Sequence, residues 1–266
     1  MNVYGKSFSY AGKRSTDYEV ILCSFEIPDT MHDTAINFTV NKSELSPNRN
    51  VVNYYNHKYT DVLKFSIGIC KCQGEEFLEA ERREIVGWLT SPKGYHLFHV
   101  QDFTDSNYHQ DIDYFATCVG YKEFVPNSDI NGLSFDFECN APYGFTPEEI
   151  TNFDITATGI LTINNTSDEW NEDYYPVMEI EGKATETITI TNAAYPETVI
   201  ELKIKNGQRL LIDNQNGDIT DNVGIFDYST DTNLKWLRLK HGENVITIDG
   251  NVKGCIKCRY IRKVGI

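Results

Sequence analysis

The sequence predicts an α+β, mainly antiparallel first domain carrying one α-helix, followed by a β-sandwich, so the 266-residue chain is mainly β. Three observations predict this class. Residues 75–89, EEFLEAERREIVGWL, place Leu78, Ile85, Trp88 and Leu89 on one helical face, with acids crowding the first turn. Strand-like alternation flanks that segment on both sides. After Ala141-Pro142-Tyr143-Gly144 the remaining signals are short strands separated by turn residues at sandwich-like spacing.

Taken in order, residues 18–25 alternate Val20 and Leu22 against Ile21, Cys23 and Phe25, and residues 35–40 carry Ile36, Phe38 and Val40 on one face. Both predict strands. The Asn-rich stretch 42–58 predicts a long loop or hairpin, and Leu63, Phe65, Ile67 and Ile69 mark a longer strand running to Gly74. Pro92 stops the helix. Residues 114–125 and 132–140 alternate again, the second with Leu133, Phe135, Phe137 and Cys139 on one side and Ser134, Asp136 and Glu138 on the other. In the second half, strands are predicted near 159–163, 177–180, 185–191, 199–204 and 209–213. Closing strands at 245–248 and 256–261 follow the turns His241-Gly242-Glu243-Asn244 and Asp249-Gly250-Asn251. The expected domains are 1–142 and 143–266, with no internal repeat or low-complexity linker between them.

Composition narrows the function classes. A formal charge of -15, from 24 basic and 39 acidic residues, argues against sequence-specific nucleic-acid binding and against an anionic membrane as partner. The amino terminus lacks the apolar core of a secretory signal, and no run of about 18 apolar residues occurs. A soluble chain made in the cytoplasm, without a membrane anchor, is therefore expected. Seven scattered cysteines read as reduced thiols, and the sequons at Asn37 and Asn164 carry little weight in that setting.

Few patterns suggest chemistry. Cys70-Lys71-Cys72 and Cys255-Ile256-Lys257-Cys258 raise a zinc site, but pairs lying within strands lack the turn that wraps a metal, so packed thiols are preferred. His96 and His99, three apart in a predicted strand, leave opposite faces. Gly12-Lys13 lacks the first glycine and the Ser or Thr of a phosphate loop. Residues 213–218, DNQNGD, place Gln215 and Gly217 where calcium ligands belong, so a hairpin turn on Asn216-Gly217 is expected instead. Carboxylate pairs for glycoside cleavage are too numerous to single out. Trp170, Tyr174 and Tyr175 are candidates for an aromatic platform that receives a sugar or a partner. Leu78, Ile85, Trp88 and Leu89 are assigned to the domain core. No catalytic residue, metal or cofactor is expected.

Three segments together resemble the distal tail protein (Dit) family of long-tailed, non-contractile (siphovirus-type) bacteriophages, which forms the baseplate hub. In FSYAGKRSTDYEVILCSFE, Phe8, Gly12, Ser15, Asp17 and Tyr18 are similar to the family's opening turn, with Glu19 standing where glycine is usual. In the second, the helix ending at Trp88-Leu89, the strand end at Asp102, Tyr108 and the exit from Cys139 to Tyr143 match. The third joins RLLIDNQNGDITDN, LKHGENVITIDGN and CIKCRYIRKVGI, similar to the family's terminal sandwich. Residues 41–61 depart from the glycine-rich loop often found there.

The resemblance implies a galectin- or carbohydrate-binding-module-like sandwich and a homo-hexameric ring in the virion tail tip, or baseplate, assembled in the host cytoplasm. It implies as partners the tail tube protein, the tail-tip or tail-associated lysin protein and receptor-binding proteins, around a channel for DNA passage. The chain length leaves no room for the carbohydrate-binding insertions of enlarged members, so a bare adaptor, not an enzyme, is expected. Acids facing the channel would repel DNA phosphate. The competing classes are a stand-alone carbohydrate-binding β-sandwich protein, monomeric and binding sugar at Trp170 or Tyr175, and a glycoside hydrolase.

Overall fold

The computed structural model describes residues 7–25, 38–45, 51–71, 75–101, 112–126 and 129–263. It divides into two units, Met1–Phe145 with Arg262–Ile266, and Thr146–Ile261. The division thus falls at 145/146 rather than 142/143, and the chain returns to the first unit at Arg262 instead of ending in the second. None of the helices is long and apolar enough to cross a membrane, among the described residues.

In the first unit, β1 (Ser7–Tyr10) turns through Ala11 and Gly12, at φ 49° and 79°, into β2 (Lys13–Arg14). A 3-10 turn over Ser15–Tyr18 follows, held by buried Ser15, whose hydroxyl accepts the Phe8 N–H at 3.1 Å. Glu19 then sits at φ 56°, in the left-handed region that favours glycine, so the resemblance's expectation of a glycine at this place has a backbone reason. Next come β3 (Val20–Cys23), β4 (Phe38–Lys42), β5 (Tyr54–Tyr59) and β6 (Lys64–Lys71). The expected strand over 35–40 is described only from Phe38. Beyond α1 (Glu79–Thr90) lie β7 (His96–Gln101), β8 (Asp113–Phe124), β9 (Gly132–Cys139) and β10 (Gly144–Phe145). The main sheet runs β2-β1-β7-β8-β9-β6-β3, antiparallel between neighbours.

Period-two patterning places the core. Leu133, Phe135, Phe137 and Cys139 are all buried on one face of β9, beside Phe65, Ile67 and Ile69 of β6 and Phe98 of β7. A bulge in β8 between Cys118 and Gly120 shifts the phase, so that Tyr121 pairs with Phe135 and stacks on its ring at 5.8 Å.

The helix begins four residues later than its pattern predicts, because Leu78 is extended (φ -67°, ψ 151°) and acts as the N-cap. Its N–H donates to the Glu81 carboxylate at 2.9 Å, and Lys71 pairs with the same carboxylate at 2.6 Å. Leu78 is therefore corrected out of the core: it is 59% exposed, while Phe77 occupies the inward place at 6%. Ile85, Trp88 and Leu89 are buried. Trp88 lies between Phe8 and Tyr18, stacked at 5.5 and 4.7 Å, and its indole N–H donates to the Tyr10 carbonyl at 2.9 Å.

The second unit is a sandwich of two antiparallel sheets. One has the order β11-β19-β13-β16-β17, built from β11 (Glu149–Ile155), β13 (Val177–Gly182), β16 (Arg209–Asp213), β17 (Asp218–Asp221) and β19 (Val252–Cys258). The other runs β12-β18-β14-β15, from β12 (Thr158–Asn165), β14 (Glu186–Asn192), β15 (Val199–Ile204) and β18 (Gly242–Asp249). Alternate residues fill an isoleucine-rich interior that includes Ile180, Ile188, Ile190, Ile246, Ile248 and Ile256. The sequence patterns miss β11 and β17, which are sheet edges whose outward positions carry Asp154 and Asp218. The unit's two ends are neighbours: the Thr146 N–H donates to the Tyr260 carbonyl at 2.8 Å, and the Tyr260 N–H to the Thr146 hydroxyl at 3.0 Å.

Candidate interaction site

The hairpin of β4 and β5 stands apart as a two-stranded sheet of its own. Register places Phe38 opposite Tyr59 and Val40 opposite His57, so these four share one face, while Thr39 opposite Lys58 and Asn41 opposite Asn56 share the other. The first face is apolar and the second polar, yet both are open. Phe38 is 52% exposed, Val40 42%, Tyr54 60% and Tyr55 64%. Phe38 and Val40, which share a face as their alternation predicts, belong to neither hydrophobic core among the described residues. The apolar face is ordered internally by a Phe38–His57 ring contact at 5.1 Å and a Tyr54 hydroxyl to His57 Nδ1 hydrogen bond at 2.7 Å. Tyr59 anchors its base against Tyr143 at 5.7 Å. A two-stranded sheet without a covered face is marginal in water. An exposed apolar face of this kind is the feature that marks an interaction surface.

The proposed aromatic platform is not assembled. Trp170 is 71% exposed, its ring tilted against His241 at 5.6 Å. Tyr174 instead turns inward: its backbone pairs with Leu239, its ring packs on Tyr260 at 5.1 Å, and its hydroxyl accepts the Arg259 N–H at 2.7 Å. Burial pushes the Tyr174 phenol up to about 12. Tyr175 is half-buried. Adjacent aromatic letters gave no way to tell the ring that enters the core from the one that leaves it.

The remaining candidates resolve into structural roles. Cys70 lies on β6 in the first unit and Cys255 and Cys258 on β19 in the second; Cys72 lies outside the described residues. Burial pushes the Cys258 thiol up to about 11, away from the thiolate a metal requires. His96 bonds to the Lys93 carbonyl at 3.1 Å and His99 to Asp113 at 2.9 Å, on opposite faces of β7. Residues 214–217 form the turn between β16 and β17, with Gly217 at φ 66° and the Asp213 carboxylate accepting the Gln215 and Asn216 N–H groups, each at 3.0 Å. Asp102 and Tyr108, which carry part of the family resemblance, also lie outside the described residues.

The outward face of the five-stranded sheet holds a shallow groove of about 740 Å³. Cross-strand ion pairs cover its floor: Lys253 and Arg209 flank Glu181 at 3.0 and 2.9 Å, Lys257 pairs with Glu179, and Lys183 with Asp154. The Lys253 contact leads in holding the Glu181 carboxyl below its usual range. Its charges satisfy one another, and the aromatic residue in its lining, Phe153, is buried in the sandwich core.

Against known proteins, residues 3–141 match the family model of a phage tail protein N-terminal domain, and residues 143–258 that of a phage tail C-terminal domain. No curated protein matches the chain by sequence. Among solved structures, SPP1 Dit, described as a paradigm of the hub adsorption apparatus in phages infecting Gram-positive bacteria, is similar over 97% of this chain and 100% of its own, at 14% identity and a TM-score of 0.62. A chain of the phage P2 baseplate in its activated conformation is similar over 96% and 98%, at 11% identity and TM-scores of 0.51 with calcium and 0.53 with strontium.

Proposed function

We propose a role from one premise: this chain belongs to the phage tail protein family whose N- and C-terminal domain models it matches in succession. Its role is that of a structural hub, a homo-hexameric ring in the virion baseplate that joins the tail tube protein to the tail-tip and receptor-binding proteins. The observation that carries the ring is the exposed hairpin, with Phe38, Val40 and Tyr54 on an apolar ribbon that joins neither core among the described residues. A closed ring joins each subunit to the next through two different surfaces, and the ribbon supplies one of them. At about 1,600 Å² per standard contact, such a ring holds without covalent links.

The formal charge of -15 supports a second element, in which carboxylates line the channel and keep DNA from adhering during passage. No catalytic step is assigned to the chain. Light scattering with negative-stain imaging of the purified protein is expected to show six-membered rings, and Phe38→Asp with Val40→Asp to leave them unformed while the melting curve is kept. A wild-type protein that is monomeric throughout would overturn the reading.

A further inference from the structure

The four sheet edges of the second unit are not protected alike. β15 is covered: Leu202 bridges Thr232, the Lys203 N–H donates to the Asp231 carbonyl at 2.8 Å, and the Asn233 amide donates to the Val199 carbonyl at 2.8 Å. β17 is short, four residues bounded by Asp218 and Asp221. β11 carries Glu149 and Asp154. These are the devices by which proteins keep open edges from pairing with foreign strands.

β12 has none of them. Its eight residues, TGILTINN, contain no charge and no proline, its register with β18 is unbroken from Thr158 to Asn165, and its apolar residues are mostly β-branched. Among the described residues, backbone pairing to β12 comes from β18 alone, which leaves alternate N–H and carbonyl groups along its outer edge without a strand partner. Ile160, at its outward face, is 69% exposed, more than any other isoleucine described as exposed.

We propose that β12 is a strand-pairing interface, and that its occupant is the β12 of a second copy of this chain, joined antiparallel about a two-fold axis. Charge selects that occupant. Self-pairing along β11 or β17 gathers acids from both copies at the junction, whereas self-pairing along β12 gathers only Thr, Ile, Leu, Gly and Asn. Outward residues must lie opposite outward residues, and the register centred on Ile160 meets that rule and sets it against Ile160 of the partner subunit. The two four-stranded sheets then run on as one, and each copy covers the edge the other leaves open. This pairing is isologous and does not depend on the ring, which uses heterologous contacts of the first unit.

The test uses the full chain carrying the Phe38→Asp and Val40→Asp changes, which remove ring contacts, compared with the same chain carrying Ile160→Lys and Thr162→Lys in addition. Both added positions are exposed, so the fold is kept, and an unshifted melting curve verifies it. Light scattering over a concentration series is expected to give a dimer for the first protein and a monomer for the second. Hydrogen exchange is expected to slow with concentration at alternate amides of 158–162, the span that this register pairs. A dimer that survives both lysines, or a first protein that stays monomeric at the highest concentration, overturns the proposal. Failure of the ring alone is read separately, from wild-type protein that dimerises without forming rings.

Discussion

Replacing Trp88 tests how the first unit is held together. The indole is 6% exposed, stacked between Phe8 and Tyr18, and donates to the Tyr10 carbonyl. Trp88→Phe keeps an aromatic ring between its neighbours but loses the donor, leaving a buried carbonyl without that partner; a cost of about 1–3 kcal/mol is expected. Trp88→Ala removes the ring as well and opens a cavity among large side chains, for a total of about 3–5 kcal/mol. In a unit of this size, that lowers the midpoint of thermal unfolding by roughly 10 °C or more. Urea unfolding followed by circular dichroism measures both variants. The two hydrophobic cores share no residue, so the loss is expected in the transition of the first unit. An unshifted transition for Trp88→Ala would refute the reasoning, and equal losses for Phe and Ala would show that the hydrogen bond, rather than packing, dominates.

Two further outcomes follow from the second unit. A Cβ added at Gly254 would lie 1.9 Å from the Glu179 carbonyl oxygen, across the β13–β19 pair, so Gly254→Ala is expected to unfold this unit or cost it several kcal/mol, read by its unfolding midpoint. Asp221 is acid-sensitive. Although burial acts to raise its carboxyl, the Ile225, Gly224 and Val223 N–H groups and the Gln208 amide hold it below its ordinary 3.8. A depressed folded-state value means that its contribution is complete above that ordinary value and is lost as pH falls through the folded one. The protection of amides 223–226, relative to their intrinsic exchange at each pH, is therefore expected to fall in acid, and Asp221→Asn to lower it at neutral pH; protection unchanged down to about pH 2 would count against this.

The strands that proved most legible are those with one face in a core. β15 and β16 occupy 199–204 and 209–213 as the alternation predicts, because Ile200, Leu202, Ile204, Leu210 and Ile212 all point inward. Edges such as β11 and β17 were hidden because half their positions face water and carry acids, and such residues carry little strand signal. Leu78 was misplaced for a different reason: helical spacing identifies a face but not where the helix begins, and the extended backbone at Leu78 leaves it outside. The hairpin was visible as a possibility, with Phe38 and Val40 correctly alternating. Alternation is the same whether an apolar face meets its own core or another chain, so the exposure of Phe38 and Val40 could only be seen in three dimensions.

Because Thr146 and Tyr260 are hydrogen-bonded neighbours, everything between them is a loop whose two stems already touch. The sandwich is therefore a cassette carried between Phe145 and Arg262. An insertion whose ends lie a strand's width apart can be exchanged for another of the same span while the chain on either side is left unaltered. An engineer inherits the same freedom, with two junctions to preserve rather than one.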